Sequence, residues 1–375
     1  MNKIGIITFH AANNSGSMLQ AYALQSFLKT RYGVESEIID YSNETQRRMY
    51  SIFCMPKNPK DLIRNLLYLP SYRKIAQSEK GYHEFKKNFV LSEKVLKAED
   101  IKKIIHKYDC LIAGSDQVWN INAMDFDLTY MLPFKNIKKV AYAVSLGASN
   151  PNKEPNKVEY KNCIKDFSAI SVRENNAKKW IEELVERDVE LCVDPTLLIE
   201  KNEWLKVTDD WKVEEPYIFW YAMTYKKEQA DLLQALSEKY NMPVYVMNAK
   251  EWVRRNLRRK GIKLAPVGGP GTFLSLVSNA SMVITSSFHG SVFSYIYQKN
   301  FWYINIHKAK GNDDRAACLL NQLGLTERYI DKEEAMTKDL LVKPQYDEKY
   351  LKPYVVKSIN FIEKEIVGKK ETNEN

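Results

Sequence analysis

Short apolar runs alternating with amphipathic stretches recur along most of this chain, and that alternation points to a parallel α/β architecture. The first unit reads KIGIITF, then HAANNSGS, then MLQAYALQSFLKTRY. Leu24, Phe27, Leu28 and Arg31 fall at helical spacing, and Gly33 supplies the stop. VESEIIDY follows as a second strand, and DCLIAGSDQVWN, KKVAYAVSLGAS, FSAISVRE and VELCVDPTLLI carry the series on. Residues 42–107 break the rhythm. They are rich in Lys, Tyr and Phe, carry Pro56, Pro59 and Pro70, and predict helical insertions above the sheet. The polar stretch 202–215 reads as a connection. A second series then runs through PYIFWYAM, MPVYVMN, GIKLAPVG, the apolar Met282, Val283 and Ile284, and NFWYINI. Helices are expected over 226–240, around 272–278 and over 347–367, before the polar KKETNEN.

A chain of 375 residues exceeds what one hydrophobic core usually supports. The expectation is therefore α/β with two Rossmann-like domains facing a cleft. Residues 1–205 form the first domain, 206–345 the second, and 346–375 a C-terminal helix and tail. In doubly wound sheets of this kind ligands bind outside the carboxyl ends of the strands.

Composition narrows the class. With 45% apolar and 27% charged residues the chain reads as an ordinary globular protein. Its net charge of +9, from 56 basic and 47 acidic residues, suits anionic substrates or an anionic membrane surface. No zinc-finger, RNP-like or dense basic helix-turn-helix pattern occurs, so nucleic acid is not expected as a partner. No apolar run reaches eighteen residues, and MNKIGIITFH has no signal-peptide layout, so the expected location is cytoplasmic. Cys54, Cys110, Cys163, Cys192 and Cys318 are scattered and include no CxxC pair. That argues against a disulfide framework and a structural zinc site, and none of the five is assigned chemistry.

The loops after strands are where chemistry is expected. HAANNSGS offers small residues just before a helix, for an anion or a sugar hydroxyl, or else a plain Asn/Gly turn with a serine cap. It is neither a GxGxxG fingerprint nor a Walker loop. GSDQVWN gathers Ser115, Asp116, Gln117 and Asn120 beside Trp119: either a sugar-binding surface, or a helix cap with the indole in the core. In SVRE, Arg173 at a strand end presents a bidentate fork to carboxylate or phosphate, or pairs with Glu174 or a helix residue. In ITSSFHGSVFS, His289 sits at a strand-to-helix junction among Ser286, Ser287, Gly290 and Ser291, where free N–H groups favour an anion. The alternative is a structural histidine. In HKAKGNDDR, Lys308 and Lys310 can reach the same anion or be merely solvated, and Asp313 or Asp314 is expected to cap the helix carrying Arg315. His10, ending the first strand, is expected to be solvated. Finally, EWVRRNLRRKGIK aligns Arg254 with Arg258 and Arg255 with Arg259 if helical. Such a basic face suits lipid headgroups or a diphosphate, although a solvated charged helix is the more ordinary reading.

Taken in order, FHAANNSGSMLQAYALQ, LIAGSDQVWN, AYAVSLG, ISVRE, CVDPTLL, ITSSFHGSVFS and DDRAACLLNQLGL resemble the polysaccharide pyruvyl transferase family over most of the chain. The resemblance implies a GT-B-like pair of domains, with the acceptor on the N-terminal side and the donor on the C-terminal side. It implies transfer of an enolpyruvyl unit from phosphoenolpyruvate onto a sugar, closing a cyclic pyruvate ketal, with no metal and no other cofactor. His289 becomes the donor-site histidine and the candidate acid, and Arg173 the grip on the donor. Ser286, Ser287, Gly290 and Ser291 belong to the donor site, where Lys308 and Lys310 compete for one basic position. Asn13, Asn14, Gly16, Ser115, Asp116 and Gln117 are the acceptor candidates. Many relatives carry an arginine close before the histidine, whereas Ser287 and Phe288 stand here. Expected partners are phosphoenolpyruvate and a saccharide acceptor, lipid-linked in one version, with peripheral association at the inner membrane face as a further expectation. Two rival readings are a GT-B glycosyltransferase using a nucleotide sugar and a non-catalytic saccharide-binding subunit.

Overall fold

Every strand pairing in the computed structural model is parallel, over the described residues 3–305 and 313–369. The first sheet holds β1 (Ile4–Ile7), β2 (Ser36–Ile38), β3 (Cys110–Ala113), β4 (Lys138–Val144), β5 (Ala169–Val172) and β6 (Glu190–Leu191). The second holds β7 (Ile218–Tyr221), β8 (Val244–Val246), β9 (Lys263–Leu264), β10 (Met282–Thr285), β11 (Phe301–Asn305) and β12 (Tyr329–Asp331). Their orders are β2-β1-β3-β4-β5-β6 and β12-β11-β10-β7-β8-β9. The central strands β1, β3, β7 and β10 are buried along their whole length, as helices on both faces require. Strand order reverses at β1 in one sheet and at β7 in the other, which puts a crevice beside β1 and β3 and another beside β7 and β10. These crevices meet.

The helix Ser15–Tyr32 begins in that meeting place. The Asn14 side chain accepts from the N–H groups of Gly16 (3.0 Å) and Ser17 (3.5 Å), and Gly33, at φ 63°, ends the helix. The helix is buried from Ser15 through Ala21 because it lies between the two sheets. One apolar cluster passes from Ile4 and Leu24 through Trp204 to Phe273 and Phe293 without interruption. Trp204 meets Phe293 edge-on at 4.9 Å and Tyr22 at 5.9 Å. The two halves therefore share one core.

Two further segments tie the halves together. In the insertion, the helix Tyr72–Phe85 packs across the second domain. Gly81 lies so close to Gly268 that a Cβ there would fall 1.8 Å from its carbonyl oxygen, and the Gly268 N–H donates to the Ser78 carbonyl at 3.1 Å. Lys250 pairs with Glu79 and donates to the carbonyls of Tyr50 (2.7 Å) and Ser51 (3.1 Å). At the other end of the chain, the helix Lys352–Phe361 returns to the first sheet. There the Ser358 hydroxyl accepts from the Val193 N–H at 2.8 Å, and Lys357 pairs with Glu190 at 2.5 Å.

One local expectation is corrected. The basic stretch 251–263 is not a continuous helix: the helix Ala249–Arg254 ends, Asn256 turns left-handed at φ 49°, and a single 3-10 turn, Leu257–Lys260, follows. Arg254 and Arg255 both lean on Glu251, so the expected alignment with Arg258 and Arg259 is lost.

The close backbone approach at Gly81 yields a stability prediction. Gly81→Val should lower the urea midpoint, at a cost of ~1–3 kcal/mol from overpacking. An unchanged midpoint would mean that the insertion does not bear on the second domain.

Candidate active site

The carboxyl ends of β3, β5 and β6 converge on one buried group, the carboxylate of Asp194. Its Oδ1 accepts from the Thr196 N–H (3.1 Å) and hydroxyl (2.7 Å). Its Oδ2 accepts from Arg173 Nη1 (2.7 Å) and the Ser115 hydroxyl (3.2 Å). His289 Nε2 lies 3.5 Å from that same oxygen. Burial pushes the Asp194 carboxyl up, but the nearby His289 ring, the Arg173 charge and the Thr196 hydrogen bonds outweigh it and hold the group well below the usual carboxylate range.

Arg173 is almost fully enclosed. Besides Asp194 it reaches Asp116 Oδ1 from Nη2 at 3.2 Å, and its guanidinium lies over the Phe288 ring at 4.1 Å. Its Nε stands 3.7 Å from Glu174 Oε2 without a hydrogen bond. The ion-pair alternative is thus realised, with Asp194 and Asp116 as the hydrogen-bonded partners where Glu174 was expected. Asp116 adopts a left-handed backbone at φ 70°, and its Oδ2 takes the Ser17 hydroxyl at 2.5 Å. Burial raises its carboxyl, but Arg173, His289 and Ser17 together bring it below the ordinary range.

His289 comes from the other sheet, in the first turn of the helix Phe288–Ile296, and is 5% exposed. Its ring lies against Gly16, where a Cβ would fall 2.2 Å from Nδ1. That contact explains a glycine in the first turn of the helix Ser15–Tyr32. Nε2 is buried with no hydrogen-bond partner among the described residues. The helix Phe288–Ile296 also lacks a side-chain cap, so its leading N–H groups are unclaimed by side chains.

His289 and Arg173 border a common cavity of about 240 Å³ between the domains. Asn14, Asp116 and Gln117 line it from the first domain, and Ser286, Ser287 and Phe288 from the second. Tyr303, Asn305, Asp313 and Arg315 close the far wall. Arg315 grips Asp313 through Nε (2.8 Å) and Nη2 (2.6 Å), and Tyr303 stacks on Tyr329 at 5.1 Å. Larger hollows of about 820 and 520 Å³ lie on outer flanks, away from both switch points, the second between the starts of β5 and β6 and the helix Lys352–Phe361. Among the described residues no group of three or more His, Cys, Asp or Glu side chains is arranged to hold a metal.

The remaining sequence candidates divide. Ser115 is fully buried and hydrogen-bonded to the Ala143 carbonyl as well as Asp194, so it supports the carboxylate and does not face the cavity. Gly290 is a packing glycine whose Cβ would fall 2.1 Å from Thr285 Oγ1, and Ser291 is fully buried. Asn13 lies outside the cavity lining. Lys308 and Lys310 fall outside the described residues. Trp119 is fully buried and donates to the Tyr130 carbonyl at 3.0 Å, so the core alternative holds there. His10 is buried, not solvated, with Nε2 3.0 Å from Asp40. Asp313 caps the backbone of Arg315 at 3.2 Å, whereas Asp314 accepts from the Asn176 N–H across the domain boundary at 3.1 Å. Sequence reasoning passed over Asp194, Arg315 and Tyr303. The available signal for Asp194 was its place in CVDPTLL, directly after a strand.

Comparison with known proteins agrees with this layout. Solved structures of UDP-GlcNAc 2-epimerases share the fold. The enzyme of Methanocaldococcus jannaschii, in complex with UDP-GlcNAc and UDP, is 15% identical, with 96% of this chain and 99% of that one covered and a TM-score of 0.53. The enzyme of Neisseria meningitidis, bound to UDP-GlcNAc, is 11% identical, with 98% and 100% covered and a TM-score of 0.55. At such identities the likeness is one of fold, the GT-B-type pair of Rossmann-like domains. No curated protein sequence matches the chain. The family model described as polysaccharide pyruvyl transferase matches residues 14–308, from the asparagine that caps the first helix to just past β11, so that Asp313 and Arg315 of the cavity wall lie beyond it. The chain belongs to the polysaccharide pyruvyl transferase family.

Proposed function

We propose that this protein transfers an enolpyruvyl unit from phosphoenolpyruvate onto a sugar of a surface polysaccharide or its lipid-linked precursor, and closes it into a cyclic pyruvate ketal. Membership of the family supplies the transferase class. One observation supports the finer reading above the rest: His289 and Arg173, rooted in different sheets, meet the same buried carboxylate at the wall of one small cavity.

The donor carries a phosphate and a carboxylate, and the site offers groups for both. The leading N–H groups of the helix Phe288–Ile296 suit the phosphate, with Ser286 and Ser287 beside them. Arg173 and Arg315 supply fixed positive charge, but Asp194, Asp116 and Asp313 already engage it. A dianion therefore calls for further cations, and Lys308 and Lys310, which follow β11, are the candidates. Asn14, Asp116 and Gln117 are left for the acceptor's hydroxyls.

The His289 imidazolium gives its proton to the methylene carbon, which becomes a methyl group and leaves an oxocarbenium-like centre at the neighbouring carbon. An acceptor hydroxyl adds there and returns its proton to the His289 ring, phosphate departs, and a second hydroxyl adds, its proton leaving on the phosphate as hydrogen phosphate. Asp194 holds the ring in line and stabilises its cationic form. A cavity of about 240 Å³ favours a three-carbon phosphate over a nucleotide sugar, since pockets for larger ligands generally run to several hundred Å³ or more.

Two measurements check this reading, and a third checks the electrostatics of the buried carboxyl beside Arg173. Phosphoenolpyruvate should raise the melting temperature selectively, with stabilisation of about 2.7 kcal/mol at a hundred times Kd, and Arg173→Lys should weaken that effect by removing the bidentate fork. A shift produced by a nucleotide sugar alone would favour the glycosyltransferase reading. His289→Asn should retain donor binding yet slow transfer about 100- to 10,000-fold, while full activity in that variant would remove the histidine from the chemistry. The third concerns Glu174, which is fully buried and accepts from the Leu146 N–H at 2.8 Å. Burial pushes its carboxyl up to about 7 against the pull of Arg173 and Arg315. The folded state therefore holds this proton more tightly than the unfolded one. The resulting stability is fully present below the ordinary value near 4.5 and is lost as pH rises through about 7. Urea midpoints between pH 5 and pH 8 should decline less steeply in Glu174→Gln, and an identical decline would place the ionisation elsewhere.

A further inference from the structure

The insertion carries a helix that faces the wrong way for a soluble protein. In Pro59–Tyr68 the half-buried side chains are polar: Asp61 pairs with Arg48, and Asn65 holds Cys54 through both its N–H (3.2 Å) and its carbonyl (2.8 Å). Tyr68 is buried against Ile75 and Ala249. The apolar side chains point outward, with Leu62 51%, Ile63 64% and Leu66 60% exposed. Leu67 and Leu69 extend the ridge, and the exposed Phe53 and Tyr72 rings stack at 5.5 Å nearby. A contiguous apolar ridge of this kind marks an interaction surface, because scattered single exposures are the norm elsewhere.

Its surroundings are basic. The helix Ala249–Arg254 packs against the inside-out helix, and one surface groove is shared by Leu69, Tyr72, Arg73, Lys74, Trp252 and Arg258. Arg254 and Arg255 lean on Glu251. Among the described residues Arg73, Arg258 and Arg259 have no carboxylate within ion-pair distance. Leucines rimmed by arginines, with Tyr and Trp rings at the boundary, complement a bilayer interface whose headgroups are anionic and whose next layer is hydrocarbon. A second copy of the chain fits less well, since a two-fold contact would bring this positive rim against itself.

We propose that the outward face of Pro59–Tyr68, together with Arg73, Arg258 and Arg259, docks this protein on the surface of an anionic lipid bilayer without crossing it. Among the described residues no helix is long and apolar enough to span a membrane. The surface is distinct from the cavity, so docking and donor binding can fail independently.

Flotation of the full chain with vesicles tests this. Phosphatidylcholine vesicles containing phosphatidylglycerol should capture the protein, pure phosphatidylcholine far less, and added salt should release it. Arg258→Glu with Arg259→Glu should weaken capture on the order of tenfold or more. Leu62→Ser with Leu66→Ser should weaken it similarly while leaving the circular dichroism spectrum and the phosphoenolpyruvate melting shift unchanged. Should the leucine variant misfold, the arginine variant alone decides. No capture at low salt, or capture indifferent to both pairs, overturns the proposal. So does a dimer in sedimentation velocity that Leu62→Ser with Leu66→Ser dissociates, because the ridge would then be covered by a second copy.

Discussion

The site depends on a carboxylate that has been taken out of water. Desolvating Asp194 alone costs on the order of several kcal/mol, and the group stays ionised because Arg173, Thr196 and Ser115 supply hydrogen bonds from one domain, while His289 of the other domain brings Nε2 to 3.5 Å. The neighbouring residues follow from that need. Ser115 is spent on the carboxylate, so it is not free for substrate. Asp116 takes the second guanidinium nitrogen, and Ser17 takes the far oxygen of Asp116. Gly16 has no side chain because the imidazole occupies the space. In the proposed reaction a histidine packed this way is oriented before substrate arrives, which is how a positioned acid gains its advantage over a solvated one.

Such an arrangement requires the domains to stay in register, and the packing between them is built for it. Relative domain motion is the ordinary expectation unless the interface is large and apolar. Here the core runs unbroken from the first sheet to the second through Trp204, the insertion crosses at a glycine-to-glycine contact, and the C-terminal helix returns to the first sheet. Asn14 adds a polar link, accepting from the Tyr221 hydroxyl at 3.5 Å across the crevice. The same insertion that ties the halves carries the outward apolar ridge.

The strands were legible because a strand buried on both faces must be an apolar run, and the loops after them followed from the switch-point rule. His289 and Arg173 were legible for the same reason: each directly follows such a run. Asp194 also follows a strand, but its importance comes from a guanidinium 21 residues away and an imidazole in the other domain, and no local pattern encodes that distance. The basic stretch 251–263 shows the opposite failure. Helical spacing is visible in it, yet Asn256 takes a left-handed turn that asparagine tolerates and spacing does not reveal. In Pro59–Tyr68 the amphipathic period is equally visible, and only the tertiary packing of Tyr68 and Asn65 decides which face is turned outward.

The fold and the family are those of a polysaccharide pyruvyl transferase, and the proposed function adds an anionic three-carbon donor held between the Arg173 guanidinium and the His289 imidazole. The most direct measurement is a crystal structure of the protein soaked with phosphoenolpyruvate. The account predicts donor density in the cavity between the domains, its phosphate at the start of the helix Phe288–Ile296 and its methylene carbon facing the His289 ring. Donor density on an outer flank, with the Asp194 crevice filled only by water at saturating donor, would contradict it.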